Sequence, residues 1–103
     1  MFMGLHLSLH VTHEGRELGA HTFDADDLKT IKIGRLKSAQ ILLEAEGVAR
    51  IHAVIELGET EASVVDMGST LGTHVNGERV HKRTLLSGDT ITIGETQIAV
   101  SLG

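Results

Sequence analysis

The chain contains 103 residues, of which fourteen are acidic and nine are basic, and its net charge is −5. This length suits one domain with its own core, and the absence of cysteine excludes disulfides and thiolate metal sites. The acidic balance and the presence of only two aromatic residues argue against nucleic-acid binding, and no apolar run approaches the roughly 18 residues of a membrane span.

The first half of the chain alternates apolar and polar residues with a period of two. Residues 5–11 show this pattern most clearly, which predicts a strand with one buried face. The segment 13–16 is the expected turn into a second strand at residues 17–23, and the acidic residues 24–27 form a polar break. Three further strands are predicted at residues 30–33, 41–43 and 53–57.

The second half continues with short strands and frequent turns. Asn76-Gly77 is a strong hairpin signal, because both residues tolerate a positive φ angle. Residues 67–72 contain too much glycine and serine for a strand interior and are predicted to form an exposed loop. The remaining strands are predicted at residues 62–65, 74–75, 79–80, 84–86, 90–93 and 96–102. About eleven short strands without a long helix predict an all-β sandwich or barrel that forms a single domain over residues 1–103.

Four segments at the ends of predicted strands carry small, polar or basic residues. They are Ile33-Gly34-Arg35, residues 48–53, residues 66–77 and residues 86–94. Loops on a rigid β scaffold are where binding groups usually lie, and two of the four segments contain an arginine. The arrangement predicts a surface that holds an anion or a peptide.

Taken in this order, the segments resemble the forkhead-associated (FHA) domain, a β-sandwich that recognises phosphothreonine in peptides. The family pattern is a Gly-Arg after one strand, a Ser-Arg-x-His, and a Gly-Ser-x-Asn-Gly-Thr loop followed by Val-Asn-Gly. A Gly-Asp turn and an Ile-x-Ile-Gly complete it, and the match runs from about residue 30 to residue 100. The resemblance implies an FHA-like β-sandwich of about eleven mostly antiparallel strands, excised from a longer multidomain protein.

The resemblance also implies a set of site residues. Arg35 would reach the phosphate, and His52 would hold loops together by hydrogen bonds. The implied phosphopeptide-binding residues are Arg35, Arg50, Ser69, Thr70 and Leu71. The implied loop scaffold is Gly34, His52, Gly72, Thr73, Asn76 and Gly77.

Two positions depart from the family pattern. Ala49 stands where the family usually has a serine whose hydroxyl bonds the phosphate, and Leu71 stands where an asparagine holds the peptide backbone. A hydrogen bond to a charged group contributes roughly 1.5–3 kcal/mol, so loss of the serine would weaken a complex by about ten- to a hundredfold. Two interpretations follow. Either the chain still recognises phosphothreonine through Arg35, or a degenerate pocket docks a partner protein without phosphate in a larger assembly.

Catalytic, metal and cofactor sites are not predicted. Ser69 lacks a Gly-x-Ser-x-Gly elbow and a base placed beside it by sequence, and its loop lacks the lysine of a P-loop. The seven histidines are scattered, without an acidic cluster at ligand spacing. We therefore expect a non-catalytic interaction module of the cytoplasm. Its expected partner is a protein or phosphopeptide modified by a Ser/Thr kinase, with no nucleic acid and no direct membrane insertion.

Overall fold

Two β-sheets face each other in the structure, a computed structural model that describes residues 4–103. The strands are β1 (His6–His13), β2 (Arg16–Asp24), β3 (Thr30–Gly34), β4 (Ile41–Leu42), β5 (Ala53–Leu57), β6 (Ala62–Asp66), β7 (Thr73–Val75), β8 (Glu78–Val80), β9 (Lys82–Leu85), β10 (Thr90–Ile93) and β11 (Thr96–Leu102). The prediction of an all-β sandwich with about eleven strands is confirmed. Within residues 4–103 there is no helix long and apolar enough to cross a membrane.

The first sheet has six strands in the order β2-β1-β11-β10-β7-β8, and the second has five in the order β4-β3-β5-β6-β9. The paired strands run antiparallel except β3 and β4, which pair in parallel through Ile33 and Ile41. This topology gathers the loops at the two ends of the sandwich. The loop end contains residues 13–16, 35–40, 43–52, 67–72 and 94–95, and the far end contains residues 58–61, 76–77 and 86–89.

The core lies between the two sheets and follows from the period-two alternation. In β1, Leu7, Leu9 and Val11 are buried while the residues between them are exposed, as predicted. Ile31 and Ile55 are fully buried in the opposite sheet. Each side chain of this size contributes about 1.5–3 kcal/mol when it leaves water, so the alternating strands drive the two sheets together.

The ninth strand differs from its prediction. It spans Lys82–Leu85 instead of residues 84–86, because Lys82 and Arg83 also pair with β6. β9 is the edge strand of the second sheet, and edge strands often carry charged side chains that face water. Leu86 has left the sheet, and 67% of its surface is exposed.

The hairpin at Asn76-Gly77 is confirmed, with φ angles of 53° and 86°. It lies at the far end, where the side-chain nitrogen of Asn76 donates to Oδ1 of Asp89 and its oxygen accepts the Thr90 amide, each at 2.9 Å. A contribution of Asn76 and Gly77 to the loop of residues 67–72, at the other end of β7, stays a prediction. The pair braces the turn that starts β10.

Asp89 completes this brace. Its carboxylate accepts the Leu86 amide at 2.7 Å. The Leu86 hydrogen bond holds the pKa of Asp89 below its ordinary value, helped by Asn76 and the charge of Arg83 and opposed by burial. The far-end turn is thus closed by an ionised side chain.

Replacing Asn76 with alanine is expected to lower the free energy of unfolding by about 2 kcal/mol, roughly 10 °C in Tm. Two hydrogen bonds are lost, and alanine disfavours a positive φ angle. Asn76→Gly keeps the backbone conformation, so it should lose only the contribution of the hydrogen bonds. Far-UV circular dichroism is the suitable measurement, since the chain has no tryptophan or tyrosine. An Asn76→Ala protein as stable as the wild type would contradict the assignment.

Candidate functional site

Backbone contact between two loops fixes the position of Arg35 at the loop end. The Arg35 amide donates to the Ala49 carbonyl at 3.1 Å, and the Leu36 amide donates to the Arg50 carbonyl at 3.0 Å. A Cβ atom added to Gly34 would lie only 2.2 Å from the Arg50 carbonyl oxygen. Only glycine allows this approach, so Gly34 is what lets the two loops pack against each other.

The guanidinium of Arg35 is held at one nitrogen and open at the other two. Its Nε donates to the Val48 carbonyl. Among residues 4–103, no carboxylate or other acceptor contacts its two terminal nitrogens. The side chain lines a concavity of about 440 Å³ together with Glu44, Ala45, Glu46, Gly47, Val48, Ala49 and Thr70. An exposed, oriented guanidinium beside a hydroxyl can receive an anion.

His52 connects three parts of the loop end from a fully buried position. The Ala49 amide donates to its Nδ1 at 3.2 Å, and its Nε2 lies 2.9 Å from the Gly72 carbonyl. Because Nδ1 accepts, Nε2 carries the proton and donates to Gly72. The Met67 amide also donates to the His52 carbonyl at 2.9 Å. The structure places His52 as a structural donor between the loops.

Asp66 organises the loop of residues 67–72 around its carboxylate. Oδ2 accepts the amides of Gly68 and Ser69, each at 3.0 Å. Oδ1 accepts the hydroxyls of Ser69 at 2.5 Å and Thr73 at 2.7 Å. Burial acts to raise the pKa of Asp66, but the hydrogen bonds from Ser69, Thr73 and Gly68 outweigh it and hold that pKa below its ordinary value.

Asp66 was not among the predicted site residues, although a local signal was present. An aspartate two residues before a glycine and three before a serine can fold its side chain back onto their amides, as in an Asx turn. The hydroxyl of the fully buried Thr73 donates a hydrogen bond to the same carboxylate. Hydrogen bonds of Asp66, His52, Gly72 and Thr73 therefore hold this loop in place.

Ser69 and Thr70 have different environments, which the sequence could not distinguish. Ser69 is only 8% exposed; its hydroxyl donates to Asp66 and accepts the Gly72 amide at 3.1 Å. Thr70 is exposed, lines the Arg35 concavity, and makes no side-chain hydrogen bond within residues 4–103. The Ser69 hydroxyl is thus occupied by hydrogen bonds within the loop, whereas the Thr70 hydroxyl is available to a ligand.

Leu71 forms part of a second concavity, of about 380 Å³, beside the first. The concavity is lined by His13, Glu14, Ala45, Glu46, Val48, Leu71, Ile93, Gly94 and Glu95. The Leu71 side chain lies close to Gly47 and Gly94, 3.1 and 3.2 Å from where a Cβ atom of each would stand. It fills the gap between residues 43–52 and the turn at residues 94–95, and 37% of its surface stays exposed. The side chain offers apolar surface where the family pattern has an amide.

Two other arginines lie near these loops. Arg50 is exposed and is not among the residues that line the Arg35 concavity; its carbonyl accepts the Leu36 amide. Arg79, which was not predicted, pairs with His74 across the β7–β8 hairpin. Its Nε lies 2.8 Å from where a Cβ atom of Gly72 would stand. Arg79, on the second strand of the hairpin, thus places a positive charge next to the loop of residues 67–72.

The arrangement of these loops agrees with the comparison with known proteins. The FHA domain profile matches residues 31–94, more than half of the chain. This chain is an FHA domain. FHA domains form a non-catalytic family of protein-interaction modules, and the chain is such a module.

Its relatives include two curated bacterial proteins. It is 38% identical over 77 residues to the oxoglutarate dehydrogenase inhibitor of Corynebacterium efficiens, which covers 75% of the chain and 54% of that protein. It is 38% identical over 77 residues to the glycogen accumulation regulator GarA of Mycolicibacterium smegmatis, which covers 75% of the chain and 49% of that protein. The chain therefore spans about half the length of the curated relatives it matches.

A solved structure of Mycobacterium tuberculosis EmbR in complex with a low-affinity phosphopeptide is also similar. It superimposes with a TM-score of 0.81 at 31% identity and covers 93% of this FHA domain and 24% of the EmbR chain. The similarity extends across the sandwich, so it includes the loop end described above.

Proposed function

We propose that this FHA domain recognises a phosphothreonine-containing segment of a partner protein through its loop end. The observation that carries the proposal is the Arg35 guanidinium. It is positioned by Val48, open at both terminal nitrogens, and adjacent to the free hydroxyl of Thr70. Phosphothreonine brings about −1.5 to −2 charges and three strong acceptor oxygens, and a guanidinium can meet two of those oxygens with parallel hydrogen bonds.

The remaining residues of the concavity modify this interaction. Thr70 would donate one hydrogen bond to the phosphate, and Arg50 would add a positive charge at the rim. Glu44 and Glu46 oppose binding of the dianion, but Glu44 is paired with Lys37 at 2.8 Å. Ala49 supplies no hydroxyl. We infer an affinity below that of a domain with serine at this position, by about ten- to a hundredfold.

Three features support the proposed partner and location. The EmbR structure was solved with a phosphopeptide, which supports a phosphorylated protein segment, the product of a Ser/Thr kinase, as the ligand. The net charge of −5 does not favour nucleic acid. The absence of cysteine is typical of a reducing compartment, and we place the protein in the cytoplasm.

Docking without phosphate is the second candidate function. The concavity around Leu71 favours it, because the exposed part of the Leu71 side chain offers apolar surface at the position where the family uses a polar contact. The apolar core of a protein interface needs such surface. In this case Arg35 would contribute little to the interaction.

A titration with matched peptides distinguishes the two functions. A degenerate phosphothreonine peptide library and its unphosphorylated twin are titrated into the domain by fluorescence anisotropy. The proposed function predicts that the phosphorylated library binds and that its twin does not. Equal binding by both would support docking without phosphate and would overturn the proposal.

Replacing Ala49 with serine is expected to tighten phosphopeptide binding by about ten- to a hundredfold, since a hydroxyl would donate to the phosphate beside Arg35. The unphosphorylated peptide should gain nothing. Ala45 lines the same concavity, so Ala45→Ser is the matched control and should have a much smaller effect. Isothermal titration calorimetry measures both variants. Equal effects of the two serines would contradict the proposed position of the phosphate.

A further inference from the structure

The concavity around Leu71 combines an apolar floor with an acidic rim. Leu71, which is 37% exposed, supplies the floor, and the side chains of Val48 and Ile93 are buried beneath it. The rim carries the carboxylates of Glu14, Glu46 and Glu95, contributed by three loops; the lining residues include no lysine or arginine. Such a surface complements a side chain that is apolar along its length and positively charged at its tip.

Two of these glutamates are brought together by contact between distant turns. The Glu14 amide donates to the Glu95 carbonyl at 3.1 Å, which ties the β1–β2 turn to the β10–β11 turn. Glu14 has a φ angle of 49°, a left-handed conformation that costs a non-glycine residue about 1–2 kcal/mol.

The acidic rim is largely uncompensated. Across residues 4–103, neither Glu46 nor Glu95 forms an ion pair. Glu14 lies 3.7 Å from Nε2 of His13, a contact between charges only when the imidazole is protonated. The negative potential of the rim is therefore available to a ligand.

This concavity is continuous with the one that contains Arg35, since Ala45, Glu46 and Val48 line both. One extended peptide can therefore occupy both. This dual occupancy rests on the proposed function, because the phosphothreonine would occupy the Arg35 side.

We propose that the domain selects phosphothreonine segments that carry a lysine or arginine close to the phosphothreonine in sequence. The aliphatic part of that side chain packs on Leu71, and its charged end lies among Glu14, Glu46 and Glu95. The surface is bipolar: Arg35 takes the negative group, and the acidic rim takes the positive one. A leucine at position 71 suits this role because a methylene chain packs on apolar surface.

Four peptides of one sequence test the inference. They combine phosphothreonine or threonine with lysine or its neutral analogue norleucine at the flanking position. Lysine is first scanned through the positions on both sides of the phosphothreonine to find the best one. The lysine peptide is expected to bind about two- to fivefold more tightly than its norleucine twin, as partly exposed charge pairs permit, and the preference should shrink in high salt.

The variant Glu46→Gln/Glu95→Gln should abolish the preference for lysine, whereas the exposed far-end variant Glu59→Gln should retain it. The ratio of the two affinities is decisive, because removing Glu46 also relieves its repulsion of phosphate. A ratio near one at every scanned position, or a ratio unchanged in the double variant, overturns the inference. Loss of the phosphate requirement overturns the proposed function separately, and absence of binding by all four peptides overturns both.

Discussion

Replacing Arg35 with alanine is expected to abolish detectable binding of a phosphothreonine peptide. The variant removes two charge-assisted hydrogen bonds and a positive charge, about 3–5 kcal/mol in total, so the affinity should fall by at least about a hundredfold. The fold should persist, since Arg35 is exposed and the one hydrogen bond that its side chain makes within residues 4–103 contributes about 1 kcal/mol. Calorimetric titration with a phosphopeptide selected from the library measures the loss.

Two further variants identify the cause of that loss. Arg35→Lys retains the charge but not the planar pair of donors, so it should bind with an intermediate affinity. Arg83 lies on β9 and pairs with Glu78 at 2.7 Å; Arg83→Ala removes an equal charge from the surface and should leave binding almost unchanged. Full binding by Arg35→Ala would show that the guanidinium does not hold the phosphate.

Replacing Asp66 with asparagine is expected to give the largest loss of stability, about 2–4 kcal/mol, or roughly 10–20 °C in Tm. The carboxylate accepts four hydrogen bonds, two at each oxygen. An amide can accept at only one atom, and its NH₂ group would confront donors. Thermal unfolding followed by circular dichroism measures the change, and phosphopeptide binding should weaken because Thr70 lies in the same loop.

The Asp66 contribution to stability depends on pH in a defined direction. The pKa of Asp66 in the folded protein lies below its ordinary value of 3.8. The stabilisation is therefore fully present above that value and is lost as the pH falls through the lower folded pKa. The difference in unfolding free energy between wild type and Asp66→Asn should accordingly be constant near neutral pH and shrink below about pH 4.

The comparison with the variant is needed because Glu44 and Asp89, whose pKa values are also lowered, titrate in the same acidic range. The exposed Asp27 provides the matched control, and Asp27→Asn should alter neither the stability nor its pH dependence appreciably. A wild-type advantage over Asp66→Asn that is unchanged down to strongly acidic pH would contradict the role assigned to the carboxylate.

Much of the fold could be predicted from the alternation of apolar and polar residues. The bounds of β5, β10 and β11 agree with their predictions, because each of these strands buries one face and ends at a glycine, a polar residue or the end of the chain. The start of β9 was missed because Lys82 and Arg83 are charged. Only their pairing with β6 identifies them as part of a strand. Alternation identifies strands that contribute to the core but is weak at sheet edges.

Less of the site could be predicted. Arg35 follows from the order of the motifs, but neighbouring hydroxyl residues in one loop look equivalent until the contacts of Asp66 assign Ser69 to the interior and Thr70 to the surface. The proximity of Glu14 to Glu95 depends on two turns separated by most of the chain. No local sequence pattern predicts such a contact, because it forms only when the β1–β2 turn and the β10–β11 turn meet in the folded protein.

The internally satisfied loop of residues 66–73 affects how a partner must behave. Because Asp66 orders this loop without a ligand, the domain loses little conformational entropy when it binds, and most of that loss falls on the partner. The arrangement favours tails and linkers that can adopt an extended form at the loop end without disrupting a folded core. Differences in affinity among such partners should then appear mainly in how long each complex lasts, not in how quickly it forms.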